Sequence, residues 1–162
     1  MPRWVQVKKL TDVRAFRDHV ASLGVDIPVD DEVDPAGPLA APMTVTDGTA
    51  GSFEVPNRWA VLPMEGWDGE ADGRPTDLVR RRRDRFAASG AGLGWGEATA
   101  VRPDGRANPN QLVLDETTVD AIAALRARLD PSQVTVLQLT HSGRYSRPTA
   151  DGPAPRTLYR HP

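Results

Sequence analysis

The chain has 162 residues, with 20 Lys+Arg set against 22 Asp+Glu for a formal charge of -2. That length suits one ordinary domain with a core of its own and is short for most two-domain enzymes, while the balanced charge argues against nucleic acid or an anionic membrane as the main partner. With no cysteine, these residues form no disulfide framework, thiolate nucleophile, or cysteine-ligated zinc or iron-sulfur centre.

The opening MPRWVQVKKL lacks the apolar core of a secretory signal, and no run approaches the ~20 apolar residues of a membrane span, so a soluble cytoplasmic protein is expected. The 14 glycines and 15 prolines exceed the usual combined share of about 12%. They cluster between periodic segments, which marks a loop-rich chain.

From Thr11, TDVRAFRDHVASLG predicts a helix with Thr11 as N-cap, Val13, Phe16, Val20 and Leu23 as its apolar stripe and Gly24 as its stop. Residues 25–42 carry acids and prolines and read as an extended linker. Their cluster Asp30, Asp31, Glu32 and Asp34 lacks the spacing and glycine of a calcium loop and reads as solvated. Residues 1–42 are thus expected to be a helix plus linker, and residues 43–162 the principal unit.

MTVTDGTAGSFEV alternates on both sides of Asp47-Gly48 and predicts a small hairpin. Trp59 to Met64 reads as a short strand followed by a glycine-rich loop. Thr76 and Asp77 start a helix through LVRRRRDRFAAS, closed by Gly90, with Leu78, Val79 and Phe86 as its core side and Arg80 to Arg83 as a solvated face. Leu93 to Val101 is the second strand. ETTVDAIAALRARL is a helix with Val119, Ile122, Leu125 and Leu129 inward, and the third strand begins at Val134. Strand, helix, strand, helix, strand with short connections is the pattern of parallel βαβ units, so the fold class is α/β.

The dense glycines of SGAGLGWGEA do not form a dinucleotide fingerprint, because they end a helix and enter a strand; close packing explains them better. His19, His141 and His161 are too scattered to argue for a metal. Polar residues gather at the carboxyl ends of the strands: Glu65-Gly66, Glu97-Ala98-Thr99, and Gln138 to Arg144. Parallel α/β folds place ligands at that edge. Strand alternation puts Gln138 on one face with Val134 and Val136, an expected interior, where a buried amide needs a partner in the protein or in a ligand. Its adjacent donor and acceptor suit a heterocycle edge, such as a flavin pyrimidine or a nucleobase.

The stretches NRWAVLPMEGWDG, DGRPTDLVRRRRDRFAASGAG, GEATAVRPDGRANPNQL and QLTHSGRYSRP, in this order, resemble the N-terminal part of the old yellow enzyme family of NADH:flavin oxidoreductases, including its 2,4-dienoyl-CoA reductase branch. The resemblance covers roughly Pro56 to Pro148. It implies the first three strands of a (β/α)8 TIM barrel that holds FMN at its C-terminal mouth, with the hairpin closing the bottom. It also implies that Pro63, Met64 and Glu65 lie along the flavin ring, that Ala98 sits against the ring, and that Gln138 bonds the pyrimidine edge. His141, Gly143 and Arg144 fall near the mouth, as scaffold or as ligand contacts.

One residue departs from the pattern: where the family commonly has Thr or Cys, this chain has Glu65. A complete barrel needs about 250 residues, and the family's catalytic acid and substrate clamp have no counterpart among these positions. The implied activity is transfer of hydride from NADH or NADPH through FMN to an activated alkene, with this chain supplying flavin-binding walls. The remaining strands would come from a chain continuation or a partner polypeptide, without which the three-stranded segment is expected to be unstable. The alternative is a non-catalytic half-barrel that pairs with a partner chain. Neither reading calls for nucleic acid or a membrane.

Overall fold

A computed structural model describes residues 5–46, 48 and 51–159. The chain divides into two compact units, Met1–Gly37 and Pro38–Pro162.

In the first unit, a short 3-10 turn at Val7–Lys9 precedes helix α1, Val13–Ser22. Its cap is Asp12 rather than the expected Thr11: the Asp12 carboxylate accepts the Ala15 N–H at 2.8 Å, three residues into the helix where a capping oxygen reaches best. Gly24, at φ +68, ends it. Val20 is the buried member of the stripe, whereas Leu23, past the last turn, is exposed. The segment that follows has no regular element, and Asp31 of its acidic cluster pairs with Arg17 at 2.7 Å.

The second unit opens with an antiparallel hairpin, β1 (Met43–Thr46) and β2 (Ser52–Val55), in register Met43↔Val55 and Thr46↔Ser52. Of the turn, Asp47, Thr49 and Ala50 lie outside the described residues, as does His161. A parallel sheet follows, in the order β3 (Ala60–Val61), β4 (Leu93–Ala100), β5 (Val134–Thr140). Strand β3 is shorter than the Trp59 to Met64 expected, since it pairs with β4 alone and Pro63 has no N–H to give a ladder.

Helix α2 (Asp77–Ala87) joins β3 to β4, and α3 (Val119–Arg126) joins β4 to β5. Thr76 caps α2 by accepting the Val79 N–H. The core between helices and sheet is Val79, Leu112, Ile122 and Leu125, with Leu114 against it. Two expected core residues, Leu78 and Val119, are exposed. Each stands in the first turn of its helix, outside the stripe that continues through Val79 or Ile122.

The amino ends of the strands are bound by amides. Asn57 donates to Gly90 O and accepts the Gly92 N–H, both at 2.8 Å, and Gln133 donates to Ala91 O at 2.8 Å. The close approach expected at the glycines is visible at Gly92, where a Cβ would stand 2.6 Å from Asn57 O. The buried Val55, at the end of β2, also packs there, so the hairpin joins the sheet at its amino edge.

Candidate functional site

The opposite, carboxyl edge collects three loops that hydrogen-bond to one another. The Gly69 N–H donates to Asn110 O at 2.9 Å, the Val113 N–H to Gly73 O at 3.1 Å, and the Ser142 N–H to Gly105 O at 2.8 Å. Arg106, 5% exposed, donates from Nη1 to Ala71 O and Pro109 O, stapling the loop after β3 to the loop after β4. Burial holds its pKa below the usual guanidinium value. The edge is therefore built and hydrogen-bonded through its backbone.

Beneath it lies an ionic network. Against the expectation of a solvated face from Arg80 to Arg83, Arg83 is 4% exposed and Arg82 is half-buried, because both lie on the inward side of α2. Arg82 holds both oxygens of Asp68 at 2.8 Å and reaches Glu97 Oε1 at 2.9 Å; Arg83 Nη2 stands 3.9 Å from the same oxygen. The Gly66 N–H completes the set by approaching Glu97 Oε2 at 3.4 Å. The fork from Arg82 holds the Asp68 carboxyl below its usual pKa, while burial lowers that of Arg83. Loop, helix and strand are thereby locked at one level.

The signal for this network was present in the sequence. Counting from Val79 by three, four and seven gives Arg82, Arg83 and Phe86, the inward stripe of α2. A glutamate inside a strand as apolar as β4 needs cations from that stripe. Asp68, Trp67, Asn57, Gln111 and Gln133 are further site and scaffold residues, and no local pattern marks them.

Glu97 faces the helices, so its neighbour Ala98 faces the other side of the sheet. An irregularity in β4 shifts the register between Trp95↔Val136 and Ala98↔Gln138, leaving Ala98 and Gln138 as direct partners on neighbouring strands. Ala98 is 5% exposed, and its carbonyl accepts the Gln111 side chain at 3.1 Å. Gln138 is exposed, not interior as expected, because this end of β5 is open: Leu137 and Leu139 on either side of it are exposed as well. Its amide makes no hydrogen bond with another described residue.

Pro63 and Met64 are exposed and Glu65 is half-buried, two to four residues beyond β3. The approach of the Gly66 N–H to Glu97 Oε2 brings the residues after β3 to the end of β4 that carries Glu97 and Ala98. The backbone turns sharply here: among the described residues Trp67 is the non-glycine residue at positive φ, +49, which costs of order 1–3 kcal/mol and is held only where surroundings enforce it. The Trp67 indole N–H donates to the Glu65 carboxylate.

His141 packs against the loop after β4, and Arg144 is engaged within its own loop. The His141 Nδ1 accepts the Gly143 N–H at 3.0 Å, and its ring fills the space where Gly105 would carry a Cβ, 2.5 Å from Cδ2. Arg144 stacks on Tyr145 at 4.8 Å and donates to its hydroxyl. Among the described residues no group of His, Cys, Asp and Glu could hold a metal, and no helix is long and apolar enough to cross a membrane.

No family model matches the chain. Solved structures do. The old yellow enzyme homologue from Zymomonas mobilis aligns at TM-score 0.54 and 24% identity over 67% of this chain and 29% of its own. Morphinone reductase in complex with tetrahydroNAD aligns at 0.57 and 24%, over 74% of this chain and 32% of its own. The Old Yellow Enzyme from a Pichia species gives 0.56 and 21%, over 67% and 28%. At these identities the likeness is one of fold. The chain has part of the α/β fold of old yellow enzymes and spans about three tenths of the length of the structures it matches.

Proposed function

We propose that this chain, with its part of the old yellow enzyme fold, is the flavin-binding N-terminal portion of an FMN-dependent ene-reductase. The observation that carries the proposal is the pairing of a buried methyl, Ala98, with an unpartnered amide, Gln138, on the sheet face away from the helices, at the edge where the loops converge. A planar heterocycle needs a small residue against its face and a donor-acceptor pair at its edge. These residues fit that requirement. FMN, when bound, supplies the hydride relay between NADH or NADPH and an electron-poor alkene.

In this reading Ala98 keeps the backbone close to the ring, Gln138 reads its pyrimidine edge, and Pro63 and Met64 give an apolar wall that excludes water. Glu65 brings a carboxylate to the position where the resemblance leads one to expect Thr or Cys. The ionic network fixes the height of that wall, since Asp68 and Gly66 are tied through Arg82 and Glu97 to the strand that carries Ala98.

The remaining strands come from a continuation of the chain or a partner polypeptide. Trp59, Leu62 and Leu139 are more than half exposed here, with Leu62 at 71%, and in this reading the rest of the barrel buries them. Glu65 is the residue that favours the second reading, a half-barrel subunit without a cofactor.

The test is Gln138→Ala. Because the amide has no partner among the described residues, its loss leaves the unfolding free energy within about 0.5 kcal/mol of wild type. Loss of the edge hydrogen bonds weakens FMN binding about tenfold, or ~1.4 kcal/mol, read by quenching of flavin fluorescence. Equal FMN affinity in the two proteins would remove Gln138 from the site.

A further inference from the structure

Among the residues that follow β3, Glu65 is held in a way the ionic network does not explain. One of its oxygens, Oε2, accepts the Trp67 indole N–H; the other makes no hydrogen bond with a described residue. Side chains two apart along an extended chain share a face, so residue 67 can reach residue 65, and the left-handed φ of +49 at Trp67 turns the backbone away directly after that contact. A Cβ at Gly66 would stand 2.5 Å from Asp68 Oδ1 and 2.6 Å from Arg82 Nη1, so a larger residue there would displace the ends of that ion pair. Asp68 is gripped by both nitrogens of the Arg82 fork. A strained residue between two anchors thus presents its side chain to a single carboxylate.

We propose that Trp67 is a positioning residue: its indole N–H holds the Glu65 carboxylate beside the edge formed by Met64, Ala98 and Gln138, and through that carboxylate it sets the reduction potential of a bound flavin. The inference rests on the flavin reading above. A carboxylate beside a group that gains electrons disfavours the reduced form, while a donor bonded to that carboxylate withdraws part of the charge and restricts where it points. Replacing the glutamate and freeing it should therefore move the potential in opposite directions.

The experiment is a reductive titration of the FMN-loaded protein, purified with whatever chain accompanies it, for wild type, Glu65→Gln, Trp67→Phe and the double variant. E65Q raises the midpoint and W67F lowers it, each by about tenfold in the ratio of reduced to oxidised flavin, about 30 mV for a two-electron couple. In the E65Q background W67F produces no further shift, because the charge it acts through is gone. A protein that binds FMN but keeps its wild-type potential in W67F, or shows the same W67F shift with and without Glu65, overturns the positioning role and leaves the flavin reading standing. A protein that takes up no FMN overturns both. Should W67F not accumulate in folded form, the Trp67 indole N–H resonance of the flavin-free protein is compared between wild type and E65Q: a changed shift supports the pair, and an unchanged one removes it.

Discussion

Replacing Arg82 with Met lowers the unfolding free energy by about 3 kcal/mol, the lower end of the roughly 3–5 kcal/mol lost when one member of a buried ion pair is removed. The side chain of Glu97 is 6% exposed, and without Arg82 it keeps Arg83, 3.9 Å away, as its one cation, with the Gly66 N–H at 3.4 Å; Asp68 loses both hydrogen bonds of its fork. The cost comes from the charge left behind, not from the shape lost. Replacing Glu97 with Gln alongside Arg82→Met therefore destabilises less than Arg82→Met alone. Urea unfolding at neutral pH measures both, with an unchanged slope showing that the native state rather than the denatured ensemble has been altered. The network also has a pH signature. The folded pKa of Asp68 lies below its unfolded value of 3.8, so its contribution is complete above about pH 4 and is lost as the pH falls through the folded pKa. In Arg82→Met this acid-side loss shrinks.

Replacing Ala98 with Leu reduces FMN affinity at least 100-fold, about 2.8 kcal/mol, while costing only about 1–3 kcal/mol of stability through overpacking. Ala98 is 5% exposed and stands directly beside Gln138, so added carbons occupy the position proposed for the ring face. Ala98→Gly is the control. It keeps the space, retains FMN, and costs about 1 kcal/mol or less from strand glycine entropy. Equilibrium dialysis with FMN separates the two variants. Equal affinity in Leu and Gly forms would place the cofactor elsewhere.

Periodicity made the elements of this chain readable. Thr76 as a cap, the stripe through Ile122, Leu125 and Leu129, and the alternation of Val134 to Thr140 are local signals, and the structure has an element at each. Long-range pairing was not readable in the same way. A run of four arginines gives no sign of which two turn inward; that depends on Glu97 and Asp68, which are 15 and 14 residues away in sequence from Arg82. Leu78 and Val119 are as apolar as Val79 and Ile122, and only their place off the inward stripe exposes them.

The candidate site shows the same division. Alternation correctly separated the face of Gln138 from that of Leu137, but it does not say what covers a face, and the amide is exposed instead of buried. The partnership of Ala98 with Gln138 depends on an irregularity in β4 that shifts the register between Trp95 and Ala98, and no local pattern announces it. Glu65 stands out in the sequence because it breaks the resemblance. Its bond to Trp67 depends on one unusual backbone angle, which sequence does not display.

The measurement that bears most directly on the central claim is the visible absorption spectrum of the protein purified gently from its own host, before and after anaerobic addition of NADH, with a gel of the same sample. The account predicts a flavin spectrum that bleaches with NADH, together with a longer chain or second polypeptide that carries the remaining strands. A colourless protein that takes up no added FMN would contradict it and leave the half-barrel subunit as the reading of this chain.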